Sequence, residues 1–327
     1  MGLEQLTQLV AEELGQMEEV LARELSSDFP LLDELVKYVG QNAGKRLRPA
    51  VLFLSAKTTG GISPAHIQAA AALELIHTAT LVHDDILDRA TMRRNVATIN
   101  SNWGTDAAIL LGDYLFSRAF TIASPLADGF IPTILAETTN IVCEGELIQT
   151  LERNNLDLTE DAYLSIISRK TASLWATSPR LGAILSETDG KEVEALRRYG
   201  WNLGMAFQIM DDLLDITGEE RLMGKSLGTD VNLGKVTLPV IWLLSNGSKS
   251  ARREALTILK SDCEDKRASL KKILDRSNAA KYSLLKAREY VEGGTHEIDY
   301  FPHSKAKEVL LSLGEHILKQ SNKSQQA

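Results

Sequence analysis

A chain of 327 residues with a net charge of −8, 44% hydrophobic and only 6% aromatic residues can bury a sizeable core, and its acidity argues against a nucleic-acid partner. Cys143 and Cys263 are isolated, which excludes a disulfide framework and a cysteine metal site and points to a reducing cytoplasm. No apolar run approaches the length of a membrane span, and the first residues read as an amphipathic acidic helix rather than a signal or transit peptide.

Long amphipathic segments rich in Ala and Leu recur without alternating β-runs, so the chain reads as all-α. Residues 3–25 carry Leu3, Leu6, Val10, Leu14, Met17, Leu21 and Leu25 at helical spacing and predict a helix packed on the body. Ser26–Pro30 breaks it, and Leu31–Val39 predicts a second, short helix. Gly40–Pro49, GQNAGKRLRP, puts two glycines and three cations before an apolar helix over Ala50–Thr58. That stretch fits a basic helix-start loop as well as an anion clamp, in which Lys45 and Arg48 would give charge-assisted hydrogen bonds, bidentate from the arginine.

The next stretch, Leu73–Arg94, is an apolar helical run that ends in carboxylates and then switches to arginines. At about 100° per residue, Leu73, His77, Thr80, Asp84 and Asp88 fall on one stripe, with Asp85 beside it. Carboxylates on such a helix are costly unless cations meet them. A solvated helix end and a metal site are both open on this stretch alone. His77 by itself reads as a satisfied core residue.

Leu110–Ala123 and Ile131–Leu147 predict apolar helices that wall a pocket. Asn154–Asp161 is a polar turn. Ala162–Thr177 predicts a helix with Lys170 and Thr171 in its middle, and a kink is expected at Pro179. A buried lysine needs a partner, and a phosphate would serve. Gly204–Asp215 then repeats the earlier design 127 residues on: Gly204, Gln208, Asp211 and Asp215 share a stripe, with Asp212 alongside. Two such carboxylate walls, if they face each other, repel unless cations lie between them, and Mg²⁺ with a diphosphate suits oxygen ligands of this kind. Thr217–Val236 is rich in Gly and charge. It reads as a surface loop or as a lid whose Lys225 and Lys235 close over a phosphate. Leu238–Leu244 and residues 251–320 read as further helices.

Taken together, GKRLRP at Gly44–Pro49, the two Asp-rich stretches, KT at Lys170–Thr171 and GKSLGTDVNLGK at Gly224–Lys235 resemble, in order and spacing, the motifs of trans-polyprenyl diphosphate synthases over roughly residues 30 to 315. The resemblance implies an all-α, isoprenoid-synthase-type helical bundle around a deep central cavity. It implies one synthase domain over residues 1–327, with its catalytic body at about 30–320, and a cytoplasmic homodimer. It also implies Mg²⁺, with Mn²⁺ able to substitute, held by Asp84, Asp88 and Asp211, while Asp85, Asp212 and Asp215 complete the catalytic clusters. Lys45, Arg48, His77 and Arg94 would hold isopentenyl diphosphate. Arg93, Lys170, Lys225 and Lys235 would hold the allylic diphosphate, Lys170 and Lys225 also assisting its departure, and Thr171 and Gln208 would line the substrate site. The family usually has Gly after its arginine pair, where this chain has Asn95, a residue that tolerates left-handed backbone. Ala79 and Thr80 occupy the places where large aromatics stop the product short in the family. Being small, they imply a medium- to long-chain, lipid-like product, with Ile131–Leu147 as the floor and Leu135 as the stop.

Other readings are a short-chain farnesyl or geranylgeranyl diphosphate synthase, a terpene cyclase, a regulatory subunit on the same fold, and a metal phosphohydrolase suggested by the pair His83-Asp84. The last needs clustered histidines, and His66, His77, His83, His296, His303 and His316 are scattered.

Overall fold

Helices form nearly everywhere the apolar periodicity predicts them. The structure is a computed structural model and describes residues 7–41, 44–219, 227–261 and 265–323. In chain order the helices are α1 (Ala11–Leu25), α2 (Pro30–Gln41), α3 (Leu47–Thr59), α4 (Pro64–Leu87), α5 (Ile99–Trp103), α6 (Thr105–Ala123), α7 (Phe130–Leu151) and α8 (Glu160–Ile167). A π-helical turn, Ser168–Ala172, leads into α9 (Ser173–Leu185). Then come α10 (Gly190–Thr217), α11 (Thr229–Asn232), α12 (Leu238–Asn246), α13 (Lys249–Lys260), α14 (Lys266–Asp275), α15 (Ala279–Ile298) and α16 (Lys305–Lys323). The helix expected over residues 3–25 is interrupted by a turn at Leu9 and Val10, with Thr7 and Gln8 helical before it and Leu3 and Leu6 outside the described residues.

The fold divides into two compact units. One comprises Met1–Asn140, Leu174–Gly200 and Thr295–Leu313; the other comprises Ile141–Ser173, Trp201–Gly294 and Gly314–Ala327.

In the first unit α4 is central. Pro64 starts it at a position where a missing N–H costs nothing. Ser63 and His66 close a reciprocal cap, the Ser63 N–H donating to His66 Nδ1 at 3.0 Å. Ala69–Ile76 is a continuous buried run, as expected of a helix that is apolar all round. α1, α3 and α6 pack on it. The contact with α6 is close: a side chain on Gly112 would strike the His83 ring, whose Nε2 lies 3.1 Å from the Ile109 carbonyl. Gly182 of α9 likewise lies against the Leu52 carbonyl of α3.

α9 contains Pro179. A proline cannot donate to the carbonyl one turn before it, which here is that of Trp175, and Gly200 packs directly against that carbonyl and the proline ring. Phe53, Leu73, Ile76, Leu115, Ile134, Leu135, Trp175 and Tyr199 fill this core.

In the second unit α12 packs on α8 and α13, and α14 packs on α13 and α11. Ile167, Ile209, Leu214, Leu238, Leu243, Leu270 and Leu274 are buried there.

Two features depart from the sequence reading. The segment holding Lys170 and Thr171 is a wide π-turn rather than regular α-helix. Gly145 makes room for it, since a side chain there would lie 2.5 Å from the Lys170 backbone nitrogen. Among the described residues there is also one antiparallel pair of two-residue strands, β1 (Met92–Arg93) and β2 (Val96–Ala97). Arg94 and Asn95 turn between them with φ of 53° and 63°, the left-handed backbone that a two-residue hairpin of this hand requires.

Candidate functional site

The cationic loop Gly44–Arg48 leads into α3, and the hairpin arginine Arg94 lies on it. Gly44 has no side chain to obstruct the guanidinium, which an added Cβ would meet at 2.5 Å. Arg48 Nη1 lies 2.9 Å from His77 Nε2. Arginine has no lone pair to offer, so the imidazole nitrogen accepts. The same guanidinium sits 5.2 Å from the centroid of the Trp175 ring, and Ser178 Oγ donates to the Arg48 carbonyl at 2.5 Å. Burial lowers the Arg48 pKa to about 10, with Glu74 opposing and Arg94 reinforcing the shift. Burial, followed by the fields of Arg48, Arg94, Arg93 and Arg46, holds His77 well below the usual imidazole range, so it is neutral at pH 7. Lys45 is exposed in the same loop.

Arg46 faces the other way. Its Nε and Nη2 donate to Glu18 at 2.6 and 3.0 Å and its Nη1 to Glu74 at 2.8 Å. Glu74 is 4% exposed, a buried carboxylate among arginines.

At the C-terminal end of α4, Asp84 and Asp88 are half-buried and Asp85 is buried. Arg93 Nε donates to Asp85 Oδ1 at 2.8 Å, so the hairpin returns its arginine to the helix that carries the carboxylates. Burial raises the Asp85 pKa and Arg93 opposes that rise. Ala79 is fully buried, whereas Thr80 is half-buried and donates its hydroxyl to the His77 carbonyl at 2.7 Å. His83, turned to the Ile109 carbonyl, is engaged with α6 rather than offered beside Asp84 as a metal-binding pair.

The second unit holds the other carboxylates on α10. Asp212 is buried and accepts from Tyr163 Oη and Gln208 Nε2, both at 2.6 Å, while Thr171 Oγ1 donates to Gln208 Oε1 at 2.7 Å. Burial, then Asp230, pushes the Asp212 pKa up to about 8; Asp211 adds to the rise and the Tyr163 and Gln208 hydrogen bonds oppose it. Asp215 accepts the Asp230 N–H at 3.2 Å. Lys235, 8% exposed, has its ammonium 3.5 Å from Asp230. Lys170 pairs with Glu146 and donates to Gln149 Oε1 at 3.0 Å. Lys225 lies outside the described residues.

Among the described residues no three His, Cys, Asp or Glu form a ready-made metal cage. Mg²⁺ does not need one, because it keeps several waters and takes one or two carboxylates together with substrate phosphates. The donors present suit it. A carboxyl driven to about 8 by burial and by neighbouring aspartates marks a negative field that a divalent cation would offset.

The structure thus gathers Arg48, His77 and Arg94 with Lys45 adjacent, pairs Asp85 with Arg93, and links Asp212, Gln208 and Thr171. Sequence reasoning missed Tyr163, Asp230, Glu146 and Glu74. Only Glu74 had a local signal, as the one charge in the apolar run Ala69–Ile76.

A family model described as polyprenyl synthetase matches residues 29–276. Octaprenyl diphosphate synthase of Escherichia coli (strain K12) is 33% identical over 316 residues, which cover 96% of this chain and 97% of that one. Among solved structures, a polyprenyl synthase from Caulobacter crescentus CB15, complexed with calcium and isoprenyl diphosphate, superposes with a TM-score of 0.91 at 31% identity, covering 97% of both chains. A decaprenyl diphosphate synthase from Rhodobacter capsulatus gives a TM-score of 0.91 at 31% identity, covering 98% of this chain and 99% of that one.

Proposed function

The chain belongs to the polyprenyl synthetase family, and from that membership we propose how its residues conduct the family's reaction. It is a trans-prenyltransferase that condenses isopentenyl diphosphate with an allylic prenyl diphosphate to give a polyprenyl diphosphate of medium to long chain. The observation that carries the reading of the site is the gathering of Arg48 and Arg94, with Lys45 beside them, around neutral His77, in a chain of net charge −8. Guanidinium groups repel one another, and an anionic diphosphate offsets that repulsion.

In this reading Lys45, Arg48, His77 and Arg94 hold the diphosphate of isopentenyl diphosphate and fix its double bond in position. Arg93, Lys170, Lys225 and Lys235 attract the allylic diphosphate, with Thr171 and Gln208 lining the site. Lys170 and Lys235 exchange a carboxylate partner for a phosphate when substrate arrives. Asp84, Asp88 and Asp211 would hold Mg²⁺, with Asp85, Asp212 and Asp215 behind them. When bound, the metal neutralises the departing diphosphate as the C–O bond ionises. The alkene of isopentenyl diphosphate then attacks the allylic carbon, and the departed diphosphate takes up the proton whose loss restores a double bond. Exclusion of water by the protein keeps the cation from being quenched.

The test is incubation of the pure protein with Mg²⁺, farnesyl diphosphate and labelled isopentenyl diphosphate, followed by extraction. A labelled prenyl diphosphate longer than the starter is expected, and the activity should stay in the supernatant of a detergent-free lysate, as a cytoplasmic enzyme requires. A cyclised hydrocarbon or no condensation would overturn the reading.

Homodimer formation is part of the same proposal. α6 exposes Ile109 and Leu110, and α7 exposes Phe130, Ile141, Leu147, Ile148 and Leu151. Apolar side chains in this number on two helices call for a cover, and a second copy supplies one. Sedimentation at micromolar concentration should give twice the chain mass of 35.9 kDa; a monomer there would contradict it.

A further inference from the structure

Arg46 has no place in the substrate site, yet it is the most firmly tied residue of the cationic loop. It takes up a left-handed backbone, φ 49° and ψ 36°, immediately before α3. A non-glycine residue holds that conformation when its surroundings over-determine it, and here they do. Its guanidinium makes three hydrogen bonds, to Glu18 of α1 and Glu74 of α4, with the side chain 11% exposed. Its carbonyl accepts the Ala50 N–H at 3.0 Å, which starts α3. One side chain therefore straps the loop to two helices while its backbone sets the angle at which α3 begins. Lys45 precedes it and Arg48 follows within the first turn.

Glu74 serves the cluster from the other side. It lies three residues before His77, on the neighbouring turn of α4. Its charge favours the protonated forms of Arg46, Arg48 and Arg94, whereas Arg94 disfavours that of Arg48, and Arg93 and Arg46 disfavour that of Arg94. It is the buried carboxylate that all three arginines feel.

We propose that Arg46 and Glu74 are a positioning pair for the diphosphate clamp: Arg46 fixes the loop that presents Lys45 and Arg48, and Glu74 holds the guanidinium groups together before substrate arrives. Neither touches the diphosphate. The inference rests on the reading of that cluster as the isopentenyl diphosphate site.

The test uses Arg46→Met, Glu74→Gln and the double variant. Three quantities are measured: calorimetric Kd for isopentenyl diphosphate, KM for each substrate, and Tm. Each single variant should weaken isopentenyl diphosphate by about tenfold or more in Kd and KM, leave the allylic KM within about twofold, and leave kcat at saturation within about threefold. Arg46→Met leaves the buried Glu74 charge without its hydrogen-bonded cation, and Glu74→Gln removes the buried counter-charge while Arg46 keeps Glu18; both should lower Tm, the first more. The double variant removes both charges and should recover much of that Tm while its isopentenyl diphosphate Kd stays raised. A merely structural pair would instead regain wild-type Kd along with Tm, and that result, or an unchanged Kd in both single variants, would overturn the proposal. Wild-type protein that binds isopentenyl diphosphate without condensing it would remove the assigned reaction, yet the Kd comparison would still decide the role of the pair. Wild-type protein that fails to bind it would remove both.

Discussion

Asp84→Ala should lower turnover by at least about a hundredfold, the scale of losing one preorganised electrostatic element, and Asp211→Ala should do the same. The two aspartates differ from their neighbours in how they are held. Asp85 is buried against Arg93 and Asp212 is buried beneath Tyr163 and Gln208, so replacing either would disturb the local fold as well as the chemistry. Asp84 and Asp211 are half-buried, and each lies among like charges. Asp211 is one of the groups that push Asp212 upward, so its removal relieves repulsion in the metal-free protein. Unfolding temperatures of the alanine variants should therefore stay close to wild type while turnover collapses. Near-normal turnover with Mg²⁺ in either variant would sink the assignment of these carboxylates to the metal.

Thr80→Phe should shorten the product and leave the first condensation intact. On the proposed reading, a prenyl tail that starts beside Asp84 would meet Thr80 one helical turn earlier on the same stripe. The sequence treats Ala79 and Thr80 alike as small residues at the chain-length position, but the structure separates them. Ala79 is fully buried in the α4 core, where a phenyl ring would overpack its neighbours. Thr80 is half-buried and spends its hydroxyl on the His77 carbonyl within its own helix, so an aromatic side chain there has room to lean outward. Thin-layer separation of the dephosphorylated products would show the change. An unchanged long product from the variant would mean that the tail takes another path, and a farnesyl-length product from the unmodified protein would refute an open tunnel.

Much of this site is legible in the sequence because it depends on one helix at a time. The carboxylate ends of α4 and α10 follow from helical spacing, the arginine pair after Asp88 from its resemblance to the family's motif, and the turn at Asn95 from local conformational preference. Features that depend on distant partners are not legible. Arg46 meets Glu18 and Glu74, each 28 residues away in opposite directions, and no local pattern marks that triad. Tyr163 reaches Asp212 from 49 residues away. Leu110 and Leu147 read as pocket walls from their apolar runs, but periodicity gives only the face of a helix and not what covers it, and both side chains are exposed. The π-turn at Ser168–Ala172 was invisible for the same reason, since it is made possible by a glycine on α7.

That wide turn also bears on how the chain tolerates changes in length. A π-turn is an α-helix carrying one residue more than its hydrogen-bond ladder accommodates. Deleting a single residue between Ser168 and Ala172 would leave two good helices joined by a regular one. The helix after the deletion would then be out of phase with the helix before it by about 100°, so that Lys170 and Thr171 could not both keep Glu146 and Gln208 as partners. The surplus residue therefore works as a phase shifter within the helix, and a gap of one at this point in a related chain would signal different partners for Lys170 and Thr171.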